Sequence, residues 1–120
     1  MKPTLCVTVD TEEEGLWGSQ FPATGNSVTN IAGLPRFQGL CDRFGIRPTY
    51  LVDTPVVEDD RAAEILSGFA SADRCEIGAH LHPWCAAPLE GPSDAHHSFM
   101  CNLPEPLQRE KLRRLTEQLA

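Results

Sequence analysis

Apolar and polar positions change period several times along the chain, and each period names an element. From about Thr4 to Asp10, Leu5, Val7 and Val9 alternate with Cys6, Thr8 and Asp10, which predicts a first strand ending at an acidic residue. The next stretch, TEEEGLWGSQFPATGNS, carries three glycines, a proline and two aromatics and reads as an ordered loop. Between Pro35 and Phe44, the positions Phe37, Leu40, Cys41 and Phe44 recur at helical spacing. Pro35 suits the first helical position, and Gly45 stands where a C-terminal cap belongs.

Pro48 leads into a second strand, Thr49 to Val52, which stops at Asp53 and Pro55. A second helix is expected over Asp59 to Phe69, with Ala62, Ile65, Leu66 and Phe69 on one face and acidic residues in the first turn. Arg74 to His82 predicts a third strand, with Ile77, Ala79 and Leu81 on one side and Glu76, Gly78, His80 and His82 on the other. Cys85 to Pro104 lacks periodicity and reads as a second long loop. A last helix follows from about Glu105 to Leu119, striped by Leu112, Leu115 and Leu119.

The order is β-α-β-α-β-α. It predicts an α/β fold of three successive β-α units with parallel strands, joined by crossovers that lay helices on the sheet. Chemistry in such folds gathers at the carboxyl ends of the strands, where Asp10, Asp53, His80 and His82 fall.

Length and composition narrow the class. The 120 residues suffice for one domain, and an apolar content of 41% with 22% charged residues predicts an ordinary soluble one. A net charge of −7 with scattered basic residues argues against nucleic acid. The one basic group, Arg109, Lys111, Arg113 and Arg114, alternates with Glu110 and Glu117 and reads as a solvated helix face. Five cysteines without a C-x-x-C, no apolar run long enough to span a bilayer and no leader-like start predict free thiols in a cytoplasmic setting.

The candidate chemistry centres on EIGAHLHPW. Residues two apart on a strand project to the same side with Cα atoms about 7 Å apart, so His80 and His82 can converge on one ion. Asp10 and the run Glu12, Glu13, Glu14 lie at the end of the first strand, where a parallel sheet brings carboxylates near the imidazoles. Divalent ions, zinc above all, accept His nitrogen and carboxylate oxygen together, and a carboxylate that does not ligate can serve as general base. The loop composition does not choose among the three glutamates. Asp53 before Thr54-Pro55 also fits a capping role, Cys85 could supply a further ligand, and His96 and His97 sit in a polar loop.

VTVDTEEE, RPTYLVDTPV and EIGAHLHPW together resemble the amino-terminal part of the polysaccharide deacetylase superfamily, of the carbohydrate esterase family 4 type. NLPEPLQREKLRRLT is similar to a bacterial branch associated with cell-surface polysaccharide loci, and the resemblance covers nearly the whole chain. It implies a distorted (β/α) barrel that removes N-acetyl groups from amino sugars, with a divalent ion held by one acidic residue and two histidines and an aspartate as base. On it, Asp10 matches the base and His80 the first histidine ligand.

The chain departs from the family pattern twice. Thr11 stands where a second aspartate is usual, which passes the acidic ligand to Glu12 or a neighbour; Trp84 stands where the second histidine is usual, which leaves His82 as its substitute. Trp17 and Trp84 are candidate stacking surfaces for sugar rings. Because a barrel needs roughly 200 residues or more, the expected picture is the front part of such an enzyme, with sheet edges that a homo-oligomer could cover. The alternatives are a non-catalytic carbohydrate- or metal-binding remnant and a metal-independent C–N hydrolase of the allantoinase-like kind. A phosphoacceptor receiver domain fits poorly, because its third strand would end in aspartate rather than histidine.

Overall fold

The structure, a computed structural model, describes residues 3–120. Three strands, β1 (Thr8–Thr11), β2 (Thr49–Val52) and β3 (Glu76–Ala79), form one parallel sheet in the order β1-β2-β3. Helices α1 (Leu34–Arg43), α2 (Thr54–Glu58), α3 (Asp60–Ser71) and α4 (Glu105–Leu119) are interleaved with them. Three short 3-10 turns lie at Leu16–Gly18, Thr29–Gly33 and Met100–Asn102. The α/β class and the parallel pairing agree with the expected order, to which α2 is an addition. No helix among the described residues is long and apolar enough to cross a membrane.

Local chemistry explains where the elements stop. Helix α1 ends in a Schellman motif: Gly45 takes φ +64°, its N–H donates to the Asp42 carbonyl at 3.2 Å, and the Ile46 N–H donates to the Cys41 carbonyl at 2.9 Å. Only glycine adopts that left-handed turn without strain. The Asp53 carboxyl accepts the Val56 N–H at 3.0 Å and so starts α2, while Asp59 does the same for the Ala62 N–H at 2.8 Å and starts α3. Pro55 therefore lies in the first turn of a helix rather than merely ending a strand.

Tyr50, Val52, Ile31, Val56, Ala62, Leu66, Phe69 and Cys75 form the buried core, with Val9, Leu34, Phe37, Ile65, Ile77 and Leu119 packed against it. The opposite sheet face, Thr8, Asp10, Thr49, Leu51, Glu76 and Gly78, is only half-buried or exposed. Helices thus cover one face.

Several expectations are corrected. The first strand begins at Thr8 rather than Thr4, and Leu5 is exposed. The third ends at Ala79, not His82, because its partner β2 ends at Val52, directly opposite. One further ladder bond, from the His80 N–H to the Val52 carbonyl at 2.8 Å, carries the alignment as far as the first histidine. On α1 the buried stripe is rotated: Leu40 and Phe44 are 48% and 69% exposed, whereas Gln38 is fully buried. The Gln38 amide donates to the Arg74 carbonyl and to Asp42, and its oxygen accepts the Tyr50 hydroxyl at 2.9 Å.

On α4, Leu115 is buried but Leu112 is exposed. Arg109, Arg113 and Arg114 pair with Glu105, Glu110 and Glu117 along the exposed helix, as a solvated face should. Lys111 does not belong to that face. It is buried, and its ammonium donates to the carbonyls of Ala86 at 2.5 Å and Pro88 at 2.6 Å, which ties the segment after Trp84 to the helix.

Candidate metal centre

The three strands deliver their carboxyl ends side by side, and four side chains meet there. Asp10 lies in β1, opposite Leu51 in the register, and Glu12 follows the strand by one residue. His80 leaves β3 directly, and His82 comes two residues later, before Pro83 turns the chain. The Nε2 atoms of His80 and His82 are 3.0 Å apart, with the rings nearly perpendicular at 83°. Glu12 Oε2 lies 3.1 Å from His80 Nε2 and 3.3 Å from His82 Nε2. Asp10 Oδ1 stands 3.6 Å from His80 Nδ1.

These separations fit an ion. Ligand atoms at zinc–nitrogen and zinc–oxygen distances of about 2.0–2.1 Å in a tetrahedral shell sit about 3.3 Å from one another. Glu12, His80 and His82 approach that spacing already, and one carboxylate with two imidazoles is a donor set suited to zinc and its neighbours.

Behind His82 lies a buried acidic cluster. His82 Nδ1 is 2.8 Å from Glu13 Oε2 and 3.5 Å from Asp53 Oδ2. Glu13 Oε1 accepts the Trp84 indole N–H at 2.9 Å, and its backbone N–H donates to Asp53 Oδ2 at 3.0 Å. Burial pushes the Asp53 carboxyl up to about 8, reinforced by its hydrogen bond to Glu13 and by that residue's charge. Burial acts in the same sense on Glu13, but the hydrogen bonds with His82 and Asp53 outweigh it and hold that carboxyl down at about 2. Asp53 thus keeps the proton and Glu13 the charge.

Comparison with protein-family models, curated proteins and solved structures finds no match. The family resemblance therefore stands on the quoted residues alone.

The glutamate run divides into three roles. Glu12 faces the histidines and Glu13 is buried behind His82, while Glu14 accepts the hydroxyls of Ser27 at 2.5 Å and Thr29 at 2.9 Å and the Asn30 N–H at 2.9 Å. Glu14 ties the long loop at the start of the Thr29–Gly33 turn. Sequence reasoning left Glu13 unassigned, because its partners Asp53, His82 and Trp84 lie 40 to 71 positions away and a loop carries no fixed period.

Trp84 stacks on the His82 ring at 4.4 Å and 18°, and its ring centre lies 5.1 Å from that of Phe21, with the two planes at 60°. The side chain of Trp17 lies outside the described residues. Cys85 is buried, with Sγ 3.8 Å from Glu13 Oε1 and 3.7 Å from the His82 carbonyl. Burial and the nearby carboxylates push its thiol strongly up, so it stays protonated. Glu13, His82 and Cys85 form a second trio close enough to share an ion. All five cysteines are free. His96 and His97 are not part of the centre, and His97 instead pairs with Asp94 at 2.7 Å on the surface loop.

Proposed function

We propose that the chain carries the metal-binding half of a hydrolase active site that removes N-acetyl groups from amino sugars of a polysaccharide. The observation that carries the reading is the convergence of Glu12, His80 and His82 within 3.0–3.3 Å, with Asp10 beside them. The phrases that resemble polysaccharide deacetylases contain these residues. The parallel order β1-β2-β3 and a sheet face left open opposite the helices are what the front of a distorted (β/α) barrel would present.

In this mechanism Glu12, His80 and His82 hold a divalent ion, zinc first. When bound it supplies Lewis acidity toward an acetamide carbonyl and lowers the pKa of water toward neutrality. Asp10, exposed at the strand end and 3.6 Å from His80, would take the proton of the water that attacks the acetamide carbonyl as general base; as the C–N bond breaks, that proton balances the departing amine and acetate is released. His80 faces Asp10 through Nδ1 and Glu12 through Nε2, which keeps the base beside the ligand set. Trp84, half-buried and stacked on the His82 ring, is the candidate contact for a sugar ring.

Acetate release from N-acetylated oligosaccharides by the zinc-loaded chain tests the reading. Activity that disappears in Asp10→Asn while zinc stays bound is the expected result. Acetate release that is unchanged in Asp10→Asn contradicts it, and stoichiometric zinc without any acetate release favours a non-catalytic binding module.

A further inference from the structure

We infer that Glu13 is the positioning residue of the metal centre, fixing the His82 ring so that Nε2 faces His80 and Glu12. The inference rests on the metal-site reading above. A carboxylate only accepts hydrogen bonds, so at 2.8 Å from Glu13 Oε2 the His82 Nδ1 is the donor. A neutral imidazole protonated at Nδ1 carries its lone pair on Nε2. That Nε2 is the atom 3.0 Å from His80 Nε2 and 3.3 Å from Glu12.

Glu13 is itself held on every side. Its second oxygen accepts the Trp84 indole N–H, and its backbone N–H donates to Asp53, which also starts α2. Trp84 then lies flat on the His82 ring at 4.4 Å, so the imidazole is fixed by its edge through Glu13 and by its face through Trp84. Because Glu13 stands on the far side of the imidazole from Glu12 and His80, it acts on an ion only through His82. Such outer carboxylates orient a ligating histidine and raise its basicity, and their loss costs about 10–100-fold in metal affinity.

The rival arrangement places an ion on the inner side, held by Glu13, His82 Nδ1 and Cys85. It breaks the Glu13–His82 hydrogen bond and makes a metal–sulfur bond, and both changes are visible in a spectrum.

The test is a cobalt(II) titration of the purified chain followed by absorption, with nitrogen NMR of the His82 ring in the chelator-treated protein. A glutamine at position 13 cannot accept from both Trp84 and His82, because one of its two polar atoms donates. Glu13→Gln is expected to bind cobalt about 10–100-fold more weakly than wild type and to lose the pure Nδ1–H tautomer. Trp84→Phe keeps the stacked ring but removes the donor to Glu13; it is expected to move both readouts in the same direction, and it serves if Glu13→Gln fails to fold. Cobalt affinity of Glu13→Gln within about threefold of wild type overturns the inference. So does a thiolate-to-cobalt charge-transfer band that vanishes in Cys85→Ser. A wild-type chain that binds no cobalt sinks the metal-site reading instead, while the NMR arm still reports whether Glu13 holds the ring.

Discussion

Replacing Asp53 with alanine removes two interactions that no other residue can supply. Asp53 is fully buried between β2 and α2, where Oδ1 accepts the Val56 N–H and Oδ2 accepts the Glu13 N–H, each at 3.0 Å. Loss of the cap costs about 1 kcal/mol, and the Glu13 N–H left without an acceptor costs about 1–3 kcal/mol more. At pH 6 the Asp53 carboxyl, pushed up to about 8 by burial, is neutral, so the substitution gains nothing by deleting a buried charge. The expected loss is about 2–4 kcal/mol, which for 120 residues is a fall of about 8–16 °C in Tm.

Asp59→Ala is the matched control. It removes one cap, the 2.8 Å bond to the Ala62 N–H at the start of α3, and is expected to cost about 1 kcal/mol. Urea and thermal unfolding of the chelator-treated proteins at pH 6 measure both. A loss in Asp53→Ala no larger than in Asp59→Ala refutes the claim that Asp53 joins the glutamate loop to the sheet.

Two further outcomes follow from buried polar groups. The pH dependence has a defined sign: the raised Asp53 contributes stability that is complete below its unfolded value of 3.8 and is lost as pH climbs toward about 8. The depressed Glu13 contributes stability present above 4.5 and lost as pH falls toward about 2. Urea melts of metal-free wild type should therefore lose stability between pH 5 and 8 more steeply than those of Asp53→Asn, and equal slopes contradict the assignment. Tyr50→Phe leaves the buried Gln38 oxygen without its donor at a cost of about 1–3 kcal/mol. Because the two residues share that bond, Tyr50→Phe combined with Gln38→Leu should cost less than the sum of the single changes, and strict additivity argues against the pairing.

Much of the fold was legible because its signals are local. Ala62, Ile65, Leu66 and Phe69 share one helical face that the core does cover, and Gly45 adopts the left-handed cap its position predicts, whereas Asp59, expected inside the helix, caps it from one residue before. What was not legible depends on partners distant in sequence. Gln38 is buried only because Tyr50 and Arg74 meet its amide, and a binary apolar pattern therefore chose Leu40 and Phe44 in its place. Lys111 reads as one more surface cation until the Ala86 and Pro88 carbonyls arrive from another part of the chain.

The site follows the same division. That His80 and His82 converge was readable from their spacing, although the strand ends before either, and the His82 ring is oriented by Glu13 and Trp84 rather than by a continuous pleat. The separate duties of Glu12, Glu13 and Glu14 were not readable. A loop has no fixed period, and the three are sorted by His80, Asp53 and Ser27, residues 13 to 68 positions away.

On the proposed reading, Glu12, His80 and His82 hold one divalent ion. Calorimetric titration of zinc into the chelator-treated chain, alongside His80→Ala and His82→Ala, tests it most directly. One ion per chain is expected, with binding lost in both variants. A folded wild-type chain that takes up no zinc, or a His82→Ala variant that binds as tightly as wild type, contradicts it.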